Sequence, residues 1–177
     1  IRAADRGNTM ADRTQLYHNG CLTDGWRFFG AHPATEKGAY GWWFNVWAPR
    51  AKAVSVVGDF NGWDPEETPL APKGEFWQGF VPDLPVYTSY KYAVTGADGK
   101  LRYKADPYGF HTETRPGTAS KLYDIEHFVW TDEAFRKAKQ PVYHQPLNIY
   151  EVHLGSWRKH ENGDFLDYRD MARQLAA

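Results

Sequence analysis

Between Tyr40 and Tyr123 the chain alternates apolar and polar positions with a period of two, in short runs broken by turn residues. That period predicts half-buried antiparallel strands. Trp42, Phe44 and Val46 share one face of the first run, Trp43, Asn45 and Trp47 the other, and Pro49 ends it because it has no N–H to give a ladder. Val54-Ser55-Val56-Val57 forms the next run and stops at Gly58. Asp59-Phe60-Asn61-Gly62-Trp63-Asp64 then reads as a turn, since Asn-Gly tolerates positive φ. Phe76, Gln78 and Phe80 alternate with Trp77, Gly79 and Val81. Tyr90, Tyr92 and Val94 alternate with Lys91 and Ala93, and Asp98-Gly99 turns the chain into Leu101-Arg102-Tyr103. Such strands, with no long helical pattern between them, predict a two-sheet, immunoglobulin-like β-sandwich of about 100 residues.

The pattern changes after the sandwich. Thr131 reads as the N-cap of a short helix with Asp132 and Glu133 in its first turn, basic residues near its end and Pro141 beyond. Ile149 to Leu154 reads as a strand closed by Gly155. Tyr168, Met171, Ala172 and Leu175 then stand at i, i+3, i+4 and i+7, the stripe of an amphipathic helix. A lone strand-then-helix unit cannot cover both faces of its strand. Residues 146–177 therefore read as the opening of a larger α/β domain. The expected organisation is a leader over 1–20, a sandwich over 21–125, a linker with a short helix over 126–145, and a first βα unit over 146–177.

Composition narrows the function. Ten Phe, 8 Trp and 11 Tyr supply the bulk for a core, and a formal charge of −1 removes the electrostatic basis for nucleic-acid binding. Stacking of bases on Tyr and Trp beside Lys100, Arg102 and Lys104 is the competing reading, and the balanced charge counts against it. No run is apolar enough to span a bilayer, so no membrane partner is expected. The lone Cys21 forms no internal disulfide, which makes the cytoplasm the expected compartment. The seven His residues lack metal-ligand spacing, and no phosphate-binding or zinc-peptidase motif occurs, so neither metal nor cofactor is expected. Glu151 and His153 fall on one side of the expected strand and read as packing positions rather than catalysts. The most suggestive chemistry is aromatic. An indole held on a turn offers a flat apolar face to a pyranose ring, and a nearby Lys or Asn hydrogen-bonds its hydroxyls. Trp63 after Asn61-Gly62, with Lys91, fits that description; a Trp capping the sandwich edge is the plainer reading.

Six segments add a resemblance: Gly30-Ala31-His32-Pro33, Val46-Trp47-Ala48-Pro49-Arg50-Ala51, Val56-Val57-Gly58-Asp59-Phe60-Asn61-Gly62-Trp63, Tyr90-Lys91-Tyr92, Lys104-Ala105-Asp106-Pro107-Tyr108 and Ile149-Tyr150-Glu151-Val152-His153-Leu154-Gly155-Ser156-Trp157. In this order they resemble the N-terminal part of bacterial 1,4-α-glucan (glycogen) branching enzymes, over about residues 15–177. The resemblance implies a sandwich of the glycogen-binding-module type, followed by the first strand and helix of an α-amylase-like (β/α)₈ barrel. It implies retaining chain transfer from α-1,4 to α-1,6 linkage in glycogen biosynthesis, by carboxylates on later barrel strands. No catalytic residue carries over, so this segment is expected to be inactive alone. Carbohydrate-binding roles carry over to Trp63, Lys91 and Thr118, with Asn61 in the turn. The second stacking Trp of such modules has no counterpart: Lys100, Leu101 and Tyr103 occupy that stretch, and Ser120 stands where an Asn is expected. The expected partner is α-glucan, with self-association through the incomplete barrel segment. A wedge that supports the barrel, a stand-alone glucan-binding scaffold without enzymatic parent, and debranching or trehalose-releasing relatives are the alternatives.

Overall fold

A computed structural model describes residues 10–126, 128–139, 143 and 146–176. Residues 1–9 and Pro141, expected to close the linker helix, lie outside the described residues. The chain divides into two compact units, Ile1–Phe128 and Val129–Ala177.

The first unit is the expected two-sheet structure. Strands β1 (Gly30–Glu36) and β2 (Ala39–Trp47) pair antiparallel; β3 is Ala53–Gly58, β4 Ala71–Lys73 and β5 Phe76–Pro82. They are followed by β6 (Ser89–Thr95), β7 (Leu101–Lys104), β8 (His111–Thr112) and β9 (Ser120–Lys121). One sheet has the order β1-β2-β5-β4. The other runs β3-β6-β9-β8, with β7 also on β6. The predicted inner face of β2 holds: Trp42, Phe44 and Val46 are buried against Val54, Val56, Tyr90 and Tyr92 of the other sheet, and the Phe44 and Tyr90 rings meet edge-on at 5.2 Å. Trp42 enters this apolar layer because its indole N–H finds the Leu84 carbonyl at 2.9 Å.

The opposite face of β2 is not the solvated face that alternation implies. Asn45 is buried, and Phe76, its neighbour across the ladder from Trp47, is fully buried with Phe29 at a ring distance of 5.3 Å. Part of the cover comes from within the expected leader. Helix α1 (Met10–His18) brings the Tyr17 ring to 4.5 Å from Trp47, and His18 Nε2 lies 2.8 Å from the Glu75 carboxylate. An aromatic anchor and a hydrogen bond to a carboxylate order a segment that composition alone does not distinguish from a tail.

The polar centre of this unit is Asp106. Its Oδ2 accepts from the Tyr90 hydroxyl at 2.6 Å and the Tyr92 hydroxyl at 3.2 Å, and its Oδ1 accepts from the Tyr108 backbone N–H at 2.8 Å. Its own N–H donates to Ser120 Oγ at 2.9 Å. Burial pushes the Asp106 carboxyl above the usual range, and these donors pull it back; burial also pushes both tyrosine hydroxyls well up. The network pins the 105–120 connection to β6.

In the second unit α2 spans Glu133–Ala138, with Asp132 rather than Thr131 at its N-cap. The strand expected over Ile149–Leu154 is absent. Residues 149–153 carry no ladder, and Leu154–Trp157 form a single helical turn, α3. A strand of this kind exists only through the N–H and C=O groups of its neighbours, and among the described residues no strand pairs with it. The amphipathic helix is present as α4 (Tyr168–Ala176), yet of its stripe only Met171 is buried.

Candidate functional site

The turn that carries Trp63 is built by close approach. A Cβ at Gly58 would lie 2.4 Å from the Ser89 carbonyl oxygen, so β3 ends there on a residue without a side chain. Asp59–Asn61 form a 3-10 turn, and Gly62 and Trp63 follow, both at φ +61°. Gly62 adopts that left-handed conformation at no steric cost. Trp63 adopts it at a cost of about 1 kcal/mol, offset by two bonds that fix the residue. Its N–H donates to the Gly58 carbonyl at 2.9 Å and its indole Nε1 to Asp59 Oδ1 at 2.7 Å. The indole edge is therefore anchored and the ring half-buried.

Asn61 lies within the turn rather than at its surface chemistry. Its Oδ1 accepts from the Gly58 N–H at 3.0 Å, while Nδ2 donates to the Val56 carbonyl at 3.0 Å and to Thr68 Oγ1 at 2.9 Å. With these amide bonds made inside the loop, Asn61 shapes the turn and is a positioning residue. The sequence marks it as a turn residue but cannot tell an amide turned inward from one turned outward.

Lys91 and Thr118 are brought together directly, Nζ donating to Oγ1 at 2.7 Å. Register places Val57 opposite Lys91 and Gly58 opposite Tyr90, so Trp63 leaves the end of β3 beside the strand that carries Lys91. Tyr90 and Tyr92 face the core; Lys91 lies between them on the other side of β6, half-buried, and is flanked on that side by half-buried Ser89 and by Ala93, which is itself covered at 2% exposure. Thr118 is held by Glu113, whose Oε2 accepts from the Ala119 N–H at 2.9 Å and whose Oε1 accepts from the Ser89 hydroxyl at 3.1 Å. The Ala119 bond, with help from Ser89 and Thr118, holds the Glu113 carboxyl below its usual range. A Cβ on Gly117 would meet Glu113 Oε2 at 2.6 Å, so this loop too depends on a glycine.

One outward aromatic is legible only with the register. Tyr103 pairs with Ala93 across β6 and β7, which puts it on the face of Lys91, 48% exposed. A direct pair shares a face, and diagonal neighbours lie about 7–8 Å apart. Tyr103 is therefore an exposed ring on the side of β6 that carries Lys91. Glu151 and His153 form no comparable site: both are exposed, and His153 Nδ1 lies 2.9 Å from Ser156 Oγ on α3.

Residues 28–109 match the family described as carbohydrate-binding module 48 (isoamylase N-terminal domain). The chain is 41% identical over 170 residues to the 1,4-alpha-glucan branching enzyme GlgB of Bacillus cytotoxicus, covering 94% of this chain and 26% of that protein. It is 42% identical over 175 residues to the protein of the same name from Halothermothrix orenii, covering 97% of this chain and 28% of that one. The chain thus spans about a quarter of the length of these relatives. Along nearly its whole length the chain is similar to bacterial 1,4-α-glucan branching enzymes, and residues 28–109 match carbohydrate-binding module 48.

Proposed function

We propose that the sandwich binds α-glucan on the outward face of the sheet containing β6, as the glucan-holding portion of a cytoplasmic 1,4-α-glucan branching enzyme. The observation that carries this reading is the Lys91–Thr118 hydrogen bond beside a turn whose Trp63 is anchored by its edge. The Trp63 ring takes the apolar face of a glucose unit, releasing water from both surfaces. The Lys91 ammonium has three N–H donors, of which Thr118 uses one, leaving two for sugar hydroxyls. Tyr103 adds a second ring on the same face. In this reading residues 146–177 open the catalytic barrel, where retaining chemistry holds the transferred chain on a carboxylate and passes it to a 6-hydroxyl. The resemblance puts those carboxylates on later barrel strands, so no residue of this chain is assigned to the transfer step.

Affinity electrophoresis in glycogen tests the binding. The wild-type chain is expected to be retarded, and Trp63→Ala to lose about tenfold in affinity, equivalent to 1.4 kcal/mol. Equal mobility of the two, unchanged by polysaccharide, would instead leave the module as a support for the barrel.

A further inference from the structure

Past the N-terminal end of β6 the same sheet carries a second aromatic group that the site above does not use. Tyr87 lies in a turn two residues before Ser89, and its N–H donates to the Leu122 carbonyl at 2.7 Å. Its φ is +71°, a conformation that a bulky side chain adopts only when its surroundings enforce it. Glycine would occupy this position without strain. The side chain is nevertheless 53% exposed, so core burial does not account for it. Its ring contacts His111 at 5.3 Å and Tyr123 at 5.6 Å, and those two rings lie 5.6 Å apart. The three form a triangular platform at the protein surface.

Register connects this platform to Lys91. Ser89 pairs with Lys121, and Lys121 with His111, so all three take the outward face that Lys91 occupies on β6. Tyr123 continues the β9 alternation beyond Lys121, with Leu122 between them fully buried. Tyr87 stands four residues before Lys91, at most roughly 13 Å away at the rise of a fully extended strand, and its left-handed turn ahead of β6 shortens that span. A glucan lying along the outward face reaches both. His111 Nδ1 is 2.9 Å from the Thr112 carbonyl and donates to it, which leaves Nε2 of the neutral ring as an acceptor for a sugar hydroxyl.

We propose that Tyr87, His111 and Tyr123 form a second α-glucan subsite, so that the module binds a long chain more tightly than a short one. This inference rests on the Trp63–Lys91 reading, and the experiment separates the two. Calorimetric titration of the full 177-residue chain with maltotriose and with a long maltodextrin gives a ratio of affinities, expected to be about tenfold, the worth of one added contact. Tyr87→Gly relieves the backbone and is expected to bring that ratio to about one while maltotriose affinity stays; Tyr87→Phe keeps the ring and the ratio. Trp63→Ala is expected to weaken both ligands. If Tyr87→Gly fails to fold, His111→Ala is read in the same way. A ratio unchanged in the folded variant, with Trp63→Ala still weakening maltotriose, overturns the subsite and leaves the first site standing. Trp63→Ala without effect on either ligand overturns both.

Discussion

The two units treat the same kind of amphipathic pattern in opposite ways. In the sandwich, the apolar positions of β2, β3 and β6 find one another and form a shared core. In the second unit Ile149 is 83% exposed and Tyr168 80%, with Trp130, Phe135 and Tyr150 similarly open, and among the described residues the buried apolar side chains are Leu166 and Met171. Periodicity states which face of an element is apolar; it does not state that the cover is present. Two antiparallel sheets facing each other cover their own apolar faces within one stretch of chain, whereas a strand-and-helix repeat is covered by neighbouring repeats.

The largest test of this contrast is inside the sandwich. Asp106→Ala leaves the Tyr90 and Tyr92 hydroxyls buried without their acceptor and is expected to cost about 3 kcal/mol, read as a lowered midpoint in chemical denaturation. A change within the error of the measurement would show that the polar centre is incidental. A smaller effect is expected where the sandwich meets its ligand. Glu113 has a folded-state pKa below its ordinary 4.5, so its contribution is present above that value and is lost as pH falls through the lower folded value. Glucan affinity should fall in that acidic window as the Thr118 loop is released, and Glu113→Gln should be weaker at neutral pH and lack the acid-side loss. A shared profile would remove Glu113 from the site. The smallest effect on folding is expected in the second unit. Tyr168→Ser should move stability by about 0.5 kcal/mol or less, since the side chain is already open to solvent. The same substitution should lower self-association in sedimentation velocity, and a wild-type chain that stays monomeric at high concentration would break that expectation.

The sequence already showed the inner face of β2, because Trp42, Phe44 and Val46 alternate cleanly and meet an equally regular partner. It misjudged the other face. Phe76 packs on Phe29 and Trp47 on Tyr17 of α1, both far earlier in the chain, and no local period records such partners. Within the candidate site, the turn placing Trp63 and the side of β6 that carries Lys91 were readable from turn chemistry and from strand alternation. The inward turn of Asn61 and the placement of Tyr103 and Tyr87 required the register, because each depends on what stands one strand away. The absent strand over 149–154 has the same cause: its apolar run is real, but a ladder is a property of two segments.

β6 has ladders along both edges and works on both faces, with Tyr90 and Tyr92 holding Asp106 beneath and Lys91 meeting Thr118 above. Adding or removing one residue within it would rotate a lysine into the apolar interior and two phenols into water in a single step. Substitutions along this strand can therefore be graded, but changes in its length cannot, and variation in module size among related chains has to be absorbed in the connecting turns.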